Sequence, residues 1–180
     1  MKKILAIGGS NSSNSINRKF ANYAASLLND AEVNLYDLSK VDLPIFSVQL
    51  EAKSGIPDLV LDFVKQMDET DFIVLSLAEN NGNLNAAFKN LLDWTSRIKD
   101  RKTFAGKPML LMSTSPGARG GSSVLDIAKK LFPFQGAVIK NTFSLPSFNQ
   151  NFDDEKGITN TELLANLTSI ISELNEQTWK

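Results

Sequence analysis

Ile4-Leu5-Ala6-Ile7-Gly8-Gly9-Ser10-Asn11-Ser12-Ser13-Asn14-Ser15-Ile16-Asn17 is the stretch whose reading decides the fold. Its first four residues form a short, continuous apolar run of the kind found in strands buried on both faces. Its next ten residues hold two glycines, four serines and three asparagines. From Asn17 onward, Phe20, Tyr23, Ala24, Leu27 and Leu28 recur at helical spacing. A strand, a Gly/Ser loop and a helix in that order form a natural anion site, because backbone N–H groups and the helix N-terminus both favour negative charge. Serine hydroxyls add further donors. The competing reading is a capped turn, with Ser15 or Asn14 as N-cap.

Outward from this unit, strand and helix signals alternate. Val33–Tyr36, Phe72–Leu77, Pro108–Ser113 and Ala137–Ile139 read as strands. Helical spacing follows at Ile56, Leu59, Val60, Phe63, Val64 and Met67, then at Leu84, Phe88, Leu91, Leu92 and Thr95, then at Val124, Leu125, Ala128, Leu131 and Phe132. A capping box, Thr159-Asn160-Thr161-Glu162, opens a final helix through Leu174. Leu43 to Gly55 reads as irregular. Five strands alternating with five helices predict one α/β domain over residues 1–180, a flavodoxin-like three-layer sandwich with a parallel sheet in the order 2-1-3-4-5. In such a fold ligands bind beyond the carboxyl ends of the strands. Three unusual loops fall there: Gly8–Asn17, Ala78–Asn83 and Thr114–Gly121.

Composition narrows the chemistry. The chain of 180 residues has no histidine and no cysteine. Disulfides, thiolate nucleophiles, Ser-His-Asp triads and the usual structural zinc sites are therefore impossible. An enzyme of this composition works with carboxylates, lysine, hydroxyls, a hard metal or a cofactor, and the last is favoured. A net charge of −1 gives no reason to expect nucleic acid or an anionic membrane as partner. No apolar run is long enough for a membrane span, and Met1-Lys2-Lys3 lacks the apolar core of a signal peptide, so cytoplasmic residence is the default expectation.

The first loop has neither the Gly-Lys-Ser/Thr of a P-loop nor Gly-x-Gly-x-x-Gly. Hydroxyls and amides suit a terminal phosphate monoester. The second loop, Glu79-Asn80-Asn81-Gly82-Asn83, could offer amides to the edge of a planar ring or be a polar turn with Asn81-Gly82 in a special backbone conformation. The third, with Gly120-Gly121, could supply N–H donors or be a surface loop. Trp94 could stack on a ligand, sit at a subunit contact or pack in the interior, the last being commoner. Phe46 and Phe148 could wall a pocket or simply pack. Arg119 could meet a dinucleotide phosphate.

These residues resemble the NADPH-dependent FMN reductases of flavodoxin-like fold, a group that includes chromate, quinone and azo-dye reductases. The family's first loop, Gly-Ser-x-Arg-x-x-Ser-x-Asn, is matched at Gly9, Ser10, Ser15 and Asn17, with Ser12 in place of the arginine. Its second motif, Pro-Glu-Tyr-Asn-Gly-Ser followed by Lys-Asn-x-x-Asp-Trp, is matched at Glu79, Asn81, Gly82, Lys89, Asn90, Asp93 and Trp94, with Ala78 and Asn80 replacing proline and tyrosine. The resemblance implies bound FMN, with NADPH or NADH as electron donor. It places Ser10, Ser12, Ser15, Ile16 and Asn17 around the phosphate and ribityl end. Leu77, Ala78, Glu79, Asn80, Asn81 and Gly82 would border the ring, and Ser115, Gly117, Gly120 and Gly121 would flank its other side. It implies ping-pong hydride transfer to FMN and on to a quinone, flavin, azo or metal-oxyanion acceptor. No catalytic side chain, no metal site, no nucleic-acid or membrane partner, and a homodimer or homotetramer go with it. The alternatives are a flavodoxin-type electron carrier and a flavin-free scaffold module.

Overall fold

A computed structural model describes residues Met1–Trp179. Its central sheet has five parallel strands: β1 (Lys2–Gly9), β2 (Ala31–Tyr36), β3 (Phe72–Leu77), β4 (Pro108–Thr114) and β5 (Val138–Leu145). Their order is β2-β1-β3-β4-β5, the flavodoxin-like arrangement expected from the sequence. Among the described residues seven α-helices accompany it: α1 (Ile16–Ser26), α2 (Val48–Ser54), α3 (Asp58–Glu69), α4 (Ala86–Thr95), α5 (Ser122–Leu131), α6 (Phe148–Asn151) and α7 (Thr161–Glu176). None of these is long and apolar enough to cross a membrane.

Side chains of a strand alternate between faces, and here both faces are covered. Leu5, Ile7, Ile73 and Leu75 pack with Val60, Phe63 and Met67 of α3, Phe88 and Leu91 of α4, and Val124 and Ala128 of α5. Ile4, Ala6, Phe72 and Val74 pack with Phe20, Ala21 and Ala24 of α1 and with Leu167 and Ile171 of α7. Two apolar layers on one sheet explain why β1 and β3 read as unbroken hydrophobic runs.

Four details differ from the sequence expectation. Val48–Ser54 is helical, capped by the Ser47 side chain on the Leu50 N–H and ended by Gly55 at φ 73°. It buries no residue, so no apolar stripe marks it. Strand β5 runs on to Leu145; its register slips at Met109/Leu110, where Lys140 is skipped as a bulge. Leu84 belongs to a two-stranded hairpin, Glu79–Asn80 against Asn83–Leu84, and α4 begins after it. The capping box is also corrected. Asn160, not Thr159, caps α7 by accepting from the Glu162 and Leu163 N–H groups. Thr159 instead donates its N–H to the Asn151 carbonyl at 2.9 Å.

Candidate functional site

The three expected loops all leave the carboxyl edge of the sheet, and specific hydrogen bonds tie them together. Gly8 starts the first. A Cβ on Gly8 would stand 2.5 Å from the Arg18 Cα and N, so only glycine lets α1 return this close to β1. Ser15 is the N-cap of α1, and its buried Oγ accepts from the Arg18 N–H at 3.1 Å. The Ser12 N–H donates to Ser10 Oγ, and the Ser15 N–H to the Ser12 carbonyl. Among the described residues no acceptor takes the N–H groups of Ser13, Asn14, Ile16 or Asn17. Ser12 is exposed, Ser10 and Ile16 half-buried. Gly8 to Asn17 carries no acidic residue. Unspent N–H groups, free hydroxyls and a helix N-terminus without carboxylate competition form a donor set that fits an anionic phosphate.

Arg18, the cation nearest in sequence to this loop, is committed elsewhere. Its Nη1 pairs with Asp37, and its Nη2 donates to the Ser13 carbonyl at 2.6 Å. Asp37 also accepts from the Ser39 hydroxyl at 2.7 Å and from the Ser39 N–H at 3.1 Å. The Ser39 hydroxyl above all, then the Ser39 N–H and Arg18, hold the Asp37 carboxyl below the usual carboxylate range. Arg18 thus braces the loop from behind with its charge largely balanced.

Asn17 is a latch. Its buried side chain donates to the Thr114 carbonyl at 3.2 Å and accepts from Ser76 Oγ at 2.7 Å and from the Thr114 N–H at 3.2 Å. These bonds join α1 to the ends of β3 and β4 and leave its backbone N–H for the loop. Leu77 is fully buried in the core, so its side chain lines no crevice.

The second loop is the hairpin. Asn81 and Gly82 have φ 51° and 75°, the pair of positive values of a type I′ turn, which Asn-Gly favours. Ala78 and Gly82 are half-buried, Asn80 and Asn81 exposed. Glu79, its side chain 11% exposed, accepts from the Val124 N–H at 3.1 Å and lies 3.8 Å from Arg119. It therefore supplies the cap that α5 lacks locally, since the N-cap of α5 is Gly121.

The third loop is laced to the chain after β5. The Gly117 carbonyl accepts from the Ser147 N–H and from Ser115 Oγ, and the Ser115 carbonyl accepts from the Phe148 N–H. The Gly120 carbonyl accepts from Ser113 Oγ at 2.8 Å and Ser144 Oγ at 3.0 Å. Gly120 and Gly121 are buried at φ 58° and 76°, Ser115 is half-buried and Gly117 exposed.

Asn85 is a residue that sequence reading missed. Its Oδ1 caps α4 on Ala87 and Phe88, and its Nδ2 donates to Asn11 and Asn80. An Asn directly before Ala86-Ala87-Phe88 is an N-cap signal that could have exposed it. Trp94 is fully buried and donates to the Pro44 carbonyl at 2.8 Å, while Asn90 holds the Phe46 N–H and the Pro44 carbonyl. Phe46 meets Trp94 edge-on at 5.1 Å, and Phe148 stacks on Phe152. The Lys-Asn…Asp-Trp segment thus staples residues 43–46 to α4. A cavity of about 250 Å³ lies beside the staple, between Asn11, Leu43, Ile45, Ala86 and Asn90.

The sequence matches the family described as NADPH-dependent FMN reductase over residues 2–150. It is 31% identical to the uncharacterized protein MG342 homolog of Mycoplasma pneumoniae, over 86% of this chain and 93% of that one. It is 27% identical to the NAD(P)H:quinone oxidoreductase of Solanum tuberosum, over 94% and 89% of the two chains. In fold it is similar to FerB, a flavoenzyme NAD(P)H:(acceptor) oxidoreductase from Paracoccus denitrificans, with TM-score 0.79 and 22% identity over 98% and 96% of the chains.

Proposed function

The chain belongs to the NADPH-dependent FMN reductase family, and from that premise we propose that its three loops hold FMN and that it reduces a small quinone-like acceptor with electrons from NAD(P)H. The observation that carries this reading is the first loop, where the N–H groups of Ser13, Asn14, Ile16 and Asn17 have no protein acceptor among the described residues and no residue is acidic. Ser10, Ser12, Ser15, Ile16 and Asn17 would hold the phosphate end through hydroxyls and N–H groups. Ala78 to Gly82 would border the ring on one side, and Ser115, Gly117, Gly120 and Gly121 on the other. Bound FMN supplies hydride acceptance from NAD(P)H and electron delivery to the acceptor, in the two half-reactions of a ping-pong cycle.

The chain's own residues bind and shape. The carboxylate among the loop residues, Glu79, is engaged with α5 and Arg119, and histidine and cysteine are absent. The protein therefore contributes position and dielectric rather than a proton-transferring side chain. The similarity to the Solanum tuberosum NAD(P)H:quinone oxidoreductase supports the quinone-like acceptor class. Self-association into a homodimer or homotetramer completes the reading.

FMN titration tests it. Flavin fluorescence should quench with a micromolar or tighter Kd, and anaerobic NADPH should then bleach the bound flavin rapidly. No FMN uptake at micromolar concentration overturns the reading; uptake without bleaching leaves an electron carrier.

A further inference from the structure

Building on the FMN reading, we propose that Asn85 is a positioning residue that sets the distance between the phosphate loop and the ring loop. Its carboxamide sits at the junction of three elements. Oδ1 accepts from the Ala87 N–H at 3.1 Å and the Phe88 N–H at 3.3 Å, the N-cap of α4. That duty fixes the amide's orientation, because the acceptor must face the helix and the NH₂ must face away. The NH₂ then donates to Asn11 Oδ1 at 3.2 Å in the first loop and to Asn80 Oδ1 at 2.9 Å in the hairpin. One rigid, half-buried side chain, anchored on a helix, thereby holds two loops that have no other side-chain bond to each other among the described residues.

Asn11 and Asn80 are both exposed; apart from the bridge, the first loop is held back by Arg18 at Ser13 and the hairpin by Glu79 at α5, and neither tie runs from one loop to the other. Asn80 also stands where the resembling family carries tyrosine. An amide at this place can join the relay, whereas an aromatic ring has no carboxamide oxygen to accept from Asn85. A ligand that occupies one loop alone gains nothing from a fixed separation. A ligand with a phosphate at one end and a ring at the other gains preorganisation. FMN is such a ligand, and riboflavin, its phosphate-free counterpart, is not.

Asn85→Ser separates the two duties. Serine caps a helix about as well as asparagine, but its hydroxyl is too short to bridge both loops. The first measurement is amide hydrogen exchange on the FMN-free protein. The hydrogen-bonded amides of Ser10 and Ser12 and those of the hairpin ladder at residues 79–84 should exchange several-fold faster in the variant, with the thermal midpoint held. The second is binding. The FMN Kd should rise roughly three- to tenfold, the scale of one neutral hydrogen bond, while riboflavin affinity stays put. Asn11→Ala, which leaves both the α4 cap and the ring loop intact, breaks the bridge at its other arm and should reproduce both effects and add nothing on top of Asn85→Ser. Unchanged loop exchange, equal weakening of FMN and riboflavin, or a further multiplicative loss in the double variant would each overturn the proposal. Failure of the wild-type protein to take up FMN strikes the functional reading instead, and the exchange measurement still decides the bridge.

Discussion

In the first loop Ser15 caps its own helix, Ser10 steadies Ser12, and the N–H groups of Ser13, Asn14, Ile16 and Asn17 are left without a protein acceptor among the described residues. In the third loop the helix is capped from outside by Glu79, and the carbonyls of Ser115, Gly117 and Gly120 are all taken by the segment after β5 or by neighbouring strand ends. Both loops are rich in glycine and serine, and both join a strand end to a helix. Both loops leave N–H groups without a protein acceptor among the described residues, Ser13, Asn14, Ile16 and Asn17 in the first and Ser115, Gly117, Ala118 and Arg119 in the third, but the third also spends its carbonyls on holding a shape. Similar composition thus yields a loop laced through its carbonyls in one place and a more open donor set at a helix N-terminus in the other, and what separates them is where the polar partners lie.

The strongest way to break that contrast is Ser10→Ala/Ser15→Ala. If the first loop is the binding element, each lost hydrogen bond to a charged phosphate is worth roughly 1.5–3 kcal/mol, so the FMN Kd should rise at least about a hundredfold. Chemical unfolding should show a loss of only about 1 kcal/mol, the value of the Ser15 cap. Equal FMN affinity in wild type and variant would remove the phosphate from this loop.

The third loop should respond in the opposite currency, stability before affinity. Gly120 sits at φ 58°, and a Cβ there would stand 2.4 Å from Ser144 Oγ and 2.9 Å from the Pro146 N. Gly120→Ala should cost about 2–4 kcal/mol, combining left-handed backbone strain with overpacking. Gly117 has nothing nearer its virtual Cβ than Ser115 Oγ at 3.8 Å, and Gly117→Ala should stay within about 0.5 kcal/mol. Urea midpoints compare the two; similar losses would show that the loop is not a packed wall.

The same contrast explains what the sequence disclosed. Strands β1 and β3 were legible because both their faces are buried. Strand β5 was legible only at its start, since the Lys140 bulge and the polar residues Asn141 and Thr142 break the apolar run on an edge strand. Helix α2 left no trace because caps, the Arg97–Glu51 pair and a single partly buried leucine, Leu50, accompany it rather than an apolar stripe. The loops were legible as composition but not as partners. Nothing local says that Asn17 reaches across 97 positions to Thr114, or that Glu79 caps a helix 45 residues on. Asn81-Gly82 signalled a turn, but its hairpin and the Asn85 bridge depend on tertiary placement.

The smallest effect tests whether the Arg18–Asp37 pair leaves the first loop with a neutral donor set. Asp37 balances the charge of Arg18 behind that loop. Asp37→Asn keeps an acceptor for the Ser39 N–H but removes the balancing charge. The pair is partly buried, its side chains 23% and 24% exposed, and solvent still screens it, so the loss at pH 7 should be about 1 kcal/mol. The sign in pH follows from the depressed carboxyl. Its contribution is complete above the ordinary carboxylate range, about 3.9, and fades as pH falls through the lower value in the folded chain. Wild type and variant should therefore differ in urea midpoint at pH 7 and converge at strongly acidic pH. FMN affinity should move the other way. With Asp37 neutral, Arg18 keeps an unbalanced positive charge one residue beyond the loop, and the FMN Kd should fall about two- to threefold at low salt, an effect that vanishes as ionic strength rises. A variant that loses stability and also loses FMN would show that Asp37 shapes the loop rather than balancing the charge of Arg18.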